Sequence, residues 1–180
     1  MIATKTDKQR LESIKEITSA YSYTVDFDPV KNSIYFFLNE LINKTIQEGE
    51  ADQGLFDYFR HAFEVLKWKE EKAVNFHLAF MLQYSRYLGF YPSENYTKEN
   101  MYFDLQEGFF ISEYPKHNHF LDARLSKHIF DLMSTHLNEC ERVKISNSER
   151  KVLLLSLIDY YKLHRFLISD LISLSVLEQV

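Results

Sequence analysis

Glycine is scarce in this chain, at 4 residues in 180. That scarcity argues against Gly-rich loops that cradle phosphates and against an all-β fold built on tight turns. The single cysteine, Cys140, excludes an internal disulfide and a four-cysteine zinc ribbon, and it fits a reducing cytoplasm. Long apolar runs are missing too. The longest are of the kind Ile34-Tyr35-Phe36-Phe37-Leu38, far short of the ~18 residues that span a bilayer. The start, Met1 to Arg10, is polar and lysine-bearing with no apolar stretch, so it is not a signal peptide and is expected to be a disordered lead-in over residues 1–10. A basic excess is also lacking: 21 Lys+Arg stand against 26 Asp+Glu, a net charge of −5. Any nucleic-acid contact must therefore come from a local patch or from a part outside this sequence.

What is present is aromatic surface, at 16% of residues, on a chain long enough to bury one sizeable core. The order of apolar stripes predicts a mainly α fold of five principal helices over residues 11–180, with one small β-hairpin inserted at about 101–112. Residues 11–27 stay ambiguous, because Leu11, Ile14 and Ile17 keep helical spacing while Tyr21, Tyr23 and Val25 alternate.

Asp28-Pro29 opens the first helix, a cap followed by proline at the first helical position. Its stripe is Ile34, Phe37, Leu38, Leu41 and Ile42, and Gly49 is its expected stop. A second helix runs from about Gln53 to Trp68 with Leu55, Phe56, Phe59, Phe63 and Leu66 inward. A third spans about Ala73 to Leu88 and ends at Gly89. Met101–Leu105 and Phe109–Ile111 flank Gln106-Glu107-Gly108, where glycine can take the positive φ of a short turn. A fourth helix is expected from about Asp122 to Asn138. A fifth begins near Ser146, which has capping-box spacing to Glu149 and leads into Leu153, Leu154, Leu157, Ile158 and Tyr161. The tail from Leu171 is expected to make a short amphipathic turn or two.

Chemistry-bearing motifs are few. His117-x-His119 near Asp122, and His136 four residues before Cys140, each lack the second pair that a structural zinc site needs. Cys140 lies between Glu139 and Glu141, which raise rather than lower a thiol pKa. No nucleophile–base motif and no Glu-x-x-His is found, so neither a catalytic residue, a metal nor a cofactor is expected. Arg150, Lys151, Lys162 and Arg165 are the basic positions on and after the fifth helix. Arg150 and Lys162 are about three turns apart. They read as a solvated basic surface, with Lys162 and Arg165 complementing the helix dipole. The aromatic stripes read as core, or alternatively as an open groove for a partner peptide.

Several segments, in order, resemble one family. Phe37-Leu38-Asn39-Glu40-Leu41-Ile42 and Leu55-Phe56-Asp57-Tyr58 are similar to the start of the helical domain of the bacterial recombination protein RecO. Asn75-Phe76-His77-Leu78 through Leu88-Gly89-Phe90-Tyr91-Pro92 resembles its next helix and "LGF-x-P" end. Tyr102 to Phe109 resembles the hairpin that follows, and Ser148-Glu149-Arg150 through Leu153-Leu154, Tyr160-Tyr161 and His164 its late helix. Ser173-Leu174-Ser175-Val176-Leu177 looks like its C-terminal segment. The resemblance implies a Bacteroidetes-like form without the N-terminal OB-fold, either a fragment or a headless relative. It also implies a hairpin without metal where many members hold zinc through four cysteines.

The resemblance further implies a cytoplasmic, non-enzymatic recombination mediator for DNA repair. Such proteins anneal complementary strands, bind the acidic C-terminal tail of single-strand-binding protein and help load RecA with RecR. Contact with RecR is expected mainly through the OB-fold, and single-stranded DNA is expected to bind this chain only weakly. A tail ending in Pro-Phe and a free carboxylate wants an apolar pocket and a cation. Phe59 and Phe63 with Arg60, Arg86 and Lys44 on the rim are the expected pocket, while Val74-Asn75 stand where a basic pair is expected. The competing readings are a generic helical interaction domain without a DNA role and an enzyme whose site is assembled from scattered residues.

Overall fold

The computed structural model describes residues 2–5, 13–18, 28–46, 52–70, 72–164, 166, 168 and 171–177. Ile2–Lys5 (β1) and Ser13–Ile17 (β2) pair antiparallel, with an irregular register between Ala3 and Thr4. The described part of the lead-in is thus paired strand. Tyr21, Tyr23, Val25 and Gly49 lie outside the described residues.

Helix α1 spans Pro29–Thr45. The Asp28 carboxylate accepts from the amides of Val30 at 2.9 Å and Lys31 at 3.1 Å, which satisfies orphan donors of the first turn. Helix α2 spans Gln53–Trp68, capped by Asp52, which accepts from the Leu55 amide at 2.9 Å. Its buried line is Tyr58, Ala62 and Leu66, with Leu55, Phe59 and Phe63 half-buried beside it. Phe56, expected inward, is 62% exposed. The Tyr58 hydroxyl donates to the Phe80 carbonyl at 2.9 Å, and with Tyr58, Ala62 and Leu66 on the contact face, position 56 falls on the opposite side of the helix.

Helix α3, Phe76–Tyr87, is the centre of the fold. Phe76 to Leu82 is buried without a break, so the helix has no solvent face over that span. It packs against α1, α2 and the later helices. Gly89 ends it at φ +85, with the Gly89 amide on the Arg86 carbonyl and the Phe90 amide on the Ser85 carbonyl. This pair of bonds is a Schellman motif, and it aims Phe90 back at the core.

Strands β3 (Tyr102–Asp104) and β4 (Phe109–Ile111) form the expected hairpin, with Gly108 at φ +74. A third strand, β5 (Phe120–Leu121), adds to the other edge of β3, giving the order β4-β3-β5. Phe103, Phe110 and Leu121 pair across the buried face. Helix α4 covers Ala123–Met133. Its buried Ser126 hydroxyl accepts from the Phe103 amide at 2.7 Å and donates to the Leu121 carbonyl at 3.0 Å, fastening helix to sheet.

The fourth helix stops short of Asn138. The Ser134 and Thr135 hydroxyls bond back to the carbonyls of Phe130 and Asp131, which competes with helix continuation. A 3₁₀ helix, Leu137–Arg142, then returns Leu137 and Cys140 to the core. Helix α5, Asn147–Leu163, opens with the expected reciprocal capping box of Ser146 and Glu149. A last turn, α6, covers Leu174–Leu177. No helix among the described residues is long and apolar enough to cross a membrane.

Candidate functional site

A small cleft of about 30 Å³ opens between α1, α3 and α5, floored by Ile34, Val74 and Leu154 and rimmed by Arg150 and Lys151. Val30 stands on the α1 side, and Leu177 of α6 forms a further wall. Two of the basic residues expected as mere solvated surface thus border an apolar concavity.

Local structure explains each position. Asn75 sits one residue before α3, and its side-chain amide donates to the carbonyls of Val143 at 2.8 Å and Cys140 at 3.2 Å. Its own amide donates to Glu141 at 2.9 Å. Asn75 therefore ties the start of α3 to the segment before α5. It stands where a cation was expected, and it holds one instead: Arg150 donates to the Asn75 side-chain oxygen at 3.2 Å. The same guanidinium donates to the Ile145 carbonyl at 3.1 Å and the Asn147 side chain at 2.9 Å. Arg150 is thus fixed in direction, whereas Lys151 is exposed and able to swing.

His77 lines the cleft from α3, 5% exposed, and its Nδ1 finds no hydrogen-bond partner among the described residues. Burial, helped by the Arg150 charge, pushes its pKa down to about 3. The ring is neutral at pH 7 and leaves Arg150 and Lys151 as the charges on the rim. Burial raises the Glu141 carboxyl, opposed by the Asn75 amide, Lys69 and Arg150. Past Val74 and Arg150 the cleft runs into an open depression of about 490 Å³ lined by Lys72, Arg124 and Lys144 together with Glu141 and Glu149, the last paired with Arg124 at 2.6 Å.

The residues of the expected aromatic pocket lie on and beside α1, α2 and α3. Phe59 stacks on Phe80 at 6.1 Å and meets Tyr84 edge-on at 5.2 Å, and Phe63 stacks on Tyr35 at 5.8 Å. Arg60 pairs with Asp57 at 3.0 Å, Lys44 with Glu40 at 3.7 Å, and Arg86 lies 3.6 Å from Glu94 and 4.1 Å over the Tyr91 ring. None of the five lines the cleft between α1, α3 and α5. Lys162 is 3.6 Å from Asp159, away from Arg150, and Arg165 lies outside the described residues.

Other candidate chemistry is structural. His117 Nε2 is 3.2 Å from the buried Asp104 carboxylate, which also accepts the Gln106 and Glu107 amides of the hairpin turn. Among the described residues no group of three metal-binding side chains assembles. Burial first, then Glu141, pushes the Cys140 thiol up to about 12. Sequence reasoning missed the cleft itself. One signal was present in His77, a polar residue in the otherwise apolar run from Phe76 to Leu82.

Comparison with known proteins adds identity to this geometry. The family described as "Recombination protein O C terminal" matches residues 26–167. A DNA repair protein RecO of Azobacteroides pseudotrichonymphae is 32% identical over all of this chain and 76% of its own length. The DNA repair protein RecO of Phocaeicola vulgatus is 36% identical over 94% of this chain and 71% of its own length. That of Flavobacterium psychrophilum is 31% identical, over 97% and 72%. No solved structure gives a significant match. With most of its length matched and its hairpin and late helix in the expected order, the chain belongs to the RecO C-terminal family.

Proposed function

We propose that this chain serves DNA repair as a non-enzymatic recombination mediator, and that its own part is to capture the acidic C-terminal tail of single-strand-binding protein. Its similarity to DNA repair proteins RecO supports the repair role. Strand annealing and RecA loading with RecR are the wider role this family membership suggests. Single-stranded DNA binds this chain weakly, because a net charge of −5 leaves little counterion release to drive it.

The cleft beside Arg150 and Lys151 carries the reading. A tail with an apolar end and a free carboxylate needs an apolar floor and a cation at its edge. Ile34, Val74 and Leu154 supply the floor and Lys151 the adjustable cation, while Arg150 adds a fixed positive field. Acidic residues upstream then run toward Lys72 and Lys144, Arg124 being paired with Glu149.

Titration of a peptide with an acidic stretch, Pro-Phe and a free carboxylate tests this. Lys151→Ala is expected to weaken binding five- to tenfold, about 1–1.5 kcal/mol. Amidating the peptide C-terminus should cost a similar factor. Arg60→Ala and Arg86→Ala are expected to bind like wild type. A loss confined to those two would move the site to the α2–α3 face, and no binding by wild type would remove the tail from the proposal.

A further inference from the structure

We infer that the C-terminal turn is a lid over the cleft, latched by Glu40. The inference rests on the reading of the cleft as a tail site. At about 30 Å³ the cleft has room for roughly one water, whereas a cavity of about 150 Å³ is what holds a benzene ring. An aromatic side chain therefore enters only if a wall withdraws.

The walls differ in how firmly they are built. Ile34, His77 and Leu154 sit on α1, α3 and α5, helices of 17, 12 and 17 residues that pack into the core. Leu177 sits on the four-residue turn α6. That turn hangs from Ser173, whose carbonyl accepts the Val176 amide at 3.2 Å and the Leu177 amide at 3.0 Å. Ser173 is in turn held by one side chain of α1. Glu40 accepts from the Ile172 amide at 3.0 Å, the Ser173 amide at 2.8 Å and the Ser173 hydroxyl at 2.5 Å. Lys44, at 3.7 Å, steadies the carboxylate from the next turn of α1.

The movable wall and its fastening are thus separate residues. Leu177 fills the space that a ligand ring needs, and Glu40 sets the cost of moving it. Ile172 and Val176, 81% and 46% exposed, leave the outer side of the turn unpacked, so its release is opposed by the latch and by the inward packing of Leu171, Leu174 and Leu177. Loosening the latch therefore strengthens peptide binding, because less free energy is spent on opening.

The test combines hydrogen exchange with titration of the same acidic Pro-Phe peptide into the wild-type chain, Glu40→Gln and Leu177→Ala. In Glu40→Gln the Ile172 and Ser173 amides are expected to exchange at least about tenfold faster. The peptide is expected to bind three- to tenfold more tightly to both variants. Leu177→Ala shortens the plug without touching the latch, so it answers the question should Glu40→Gln fold poorly. Unchanged exchange in Glu40→Gln overturns the latch. Faster exchange with equal or weaker peptide binding, or equal affinity in all three proteins, overturns the lid and leaves the tail site standing. Failure of all three to bind removes the tail site and the lid together.

Discussion

A Cβ placed on Gly108 stands 2.9 Å from the Tyr160 hydroxyl. The hairpin turn therefore rests directly on α5, and the contact leaves no room for a methyl group. Tyr160 cannot easily yield, because its hydroxyl donates to the Phe90 carbonyl at 2.5 Å and its ring packs on Phe103 at 5.6 Å. One tyrosine thus links the late helix, the hairpin and the end of α3.

Gly108→Ala is expected to destabilise the protein by about 1–3 kcal/mol. The positive φ alone costs an L-residue roughly 1 kcal/mol, and the contact with Tyr160 adds to it. Urea unfolding followed by far-UV circular dichroism measures the change. A midpoint equal to wild type would show that the turn relaxes freely.

Stability should fall below neutral pH through His77. Its folded pKa of about 3 lies below the ordinary value of about 6.5, so protons bind more tightly to the unfolded chain. The contribution is complete above about pH 6.5 and is lost as pH drops toward 3. Between pH 7 and 5 the loss is of the order of 2 kcal/mol. His164, also lowered by burial, adds in the same direction. His77→Leu should therefore flatten, not abolish, the dependence in urea titrations at the two pH values. An unchanged slope would contradict the burial of a neutral ring.

Asn75→Ala is expected to cost about 2–4 kcal/mol. It removes the side-chain donor of the Val143 carbonyl, one of two donors to the Cys140 carbonyl and one of the acceptors of Arg150, in a largely buried place. The same variant loosens Arg150, which keeps only Ile145 and Asn147, so peptide affinity should fall with stability. Thermal unfolding and the peptide titration read the two effects separately. A loss of less than about 0.5 kcal/mol would mean that water replaces the side chain.

Cys140 should resist alkylation in the folded protein. It is buried, and its thiol is pushed up to about 12, so the reactive thiolate is scarce at pH 7. Iodoacetamide at neutral pH is expected to label it only as the chain unfolds in urea. Rapid labelling of the native protein would show that the 3₁₀ segment opens.

The local signals were readable because local chemistry decides them. Asp28-Pro29, the Ser146–Glu149 box, Gly89 and Gly108 act within a few residues, and each does what its residue type allows. The apolar spacing placed the five helices for the same reason. Phe56 escaped that logic, since helical spacing leaves the edge of a stripe open, and the face that packs is the one carrying Tyr58, Ala62 and Leu66. Strand β5 escaped it as well, because two residues carry no periodicity and their pairing partner lies on β3.

By itself the sequence determined a mainly helical chain with one hairpin turn, its family likeness, and the residues from which any site must be made. Tertiary structure alone decided which cations matter and where the cavity lies. Arg150 is aimed by Asn75, 75 positions away, and Leu177 becomes a wall of the cleft because Glu40 holds a turn 133 positions along the chain. Contacts of that separation leave no local pattern. They form only once the hydrophobic core has brought α1, α3 and α5 together, and burial then gives the few polar bonds at their junction the strength to fix it.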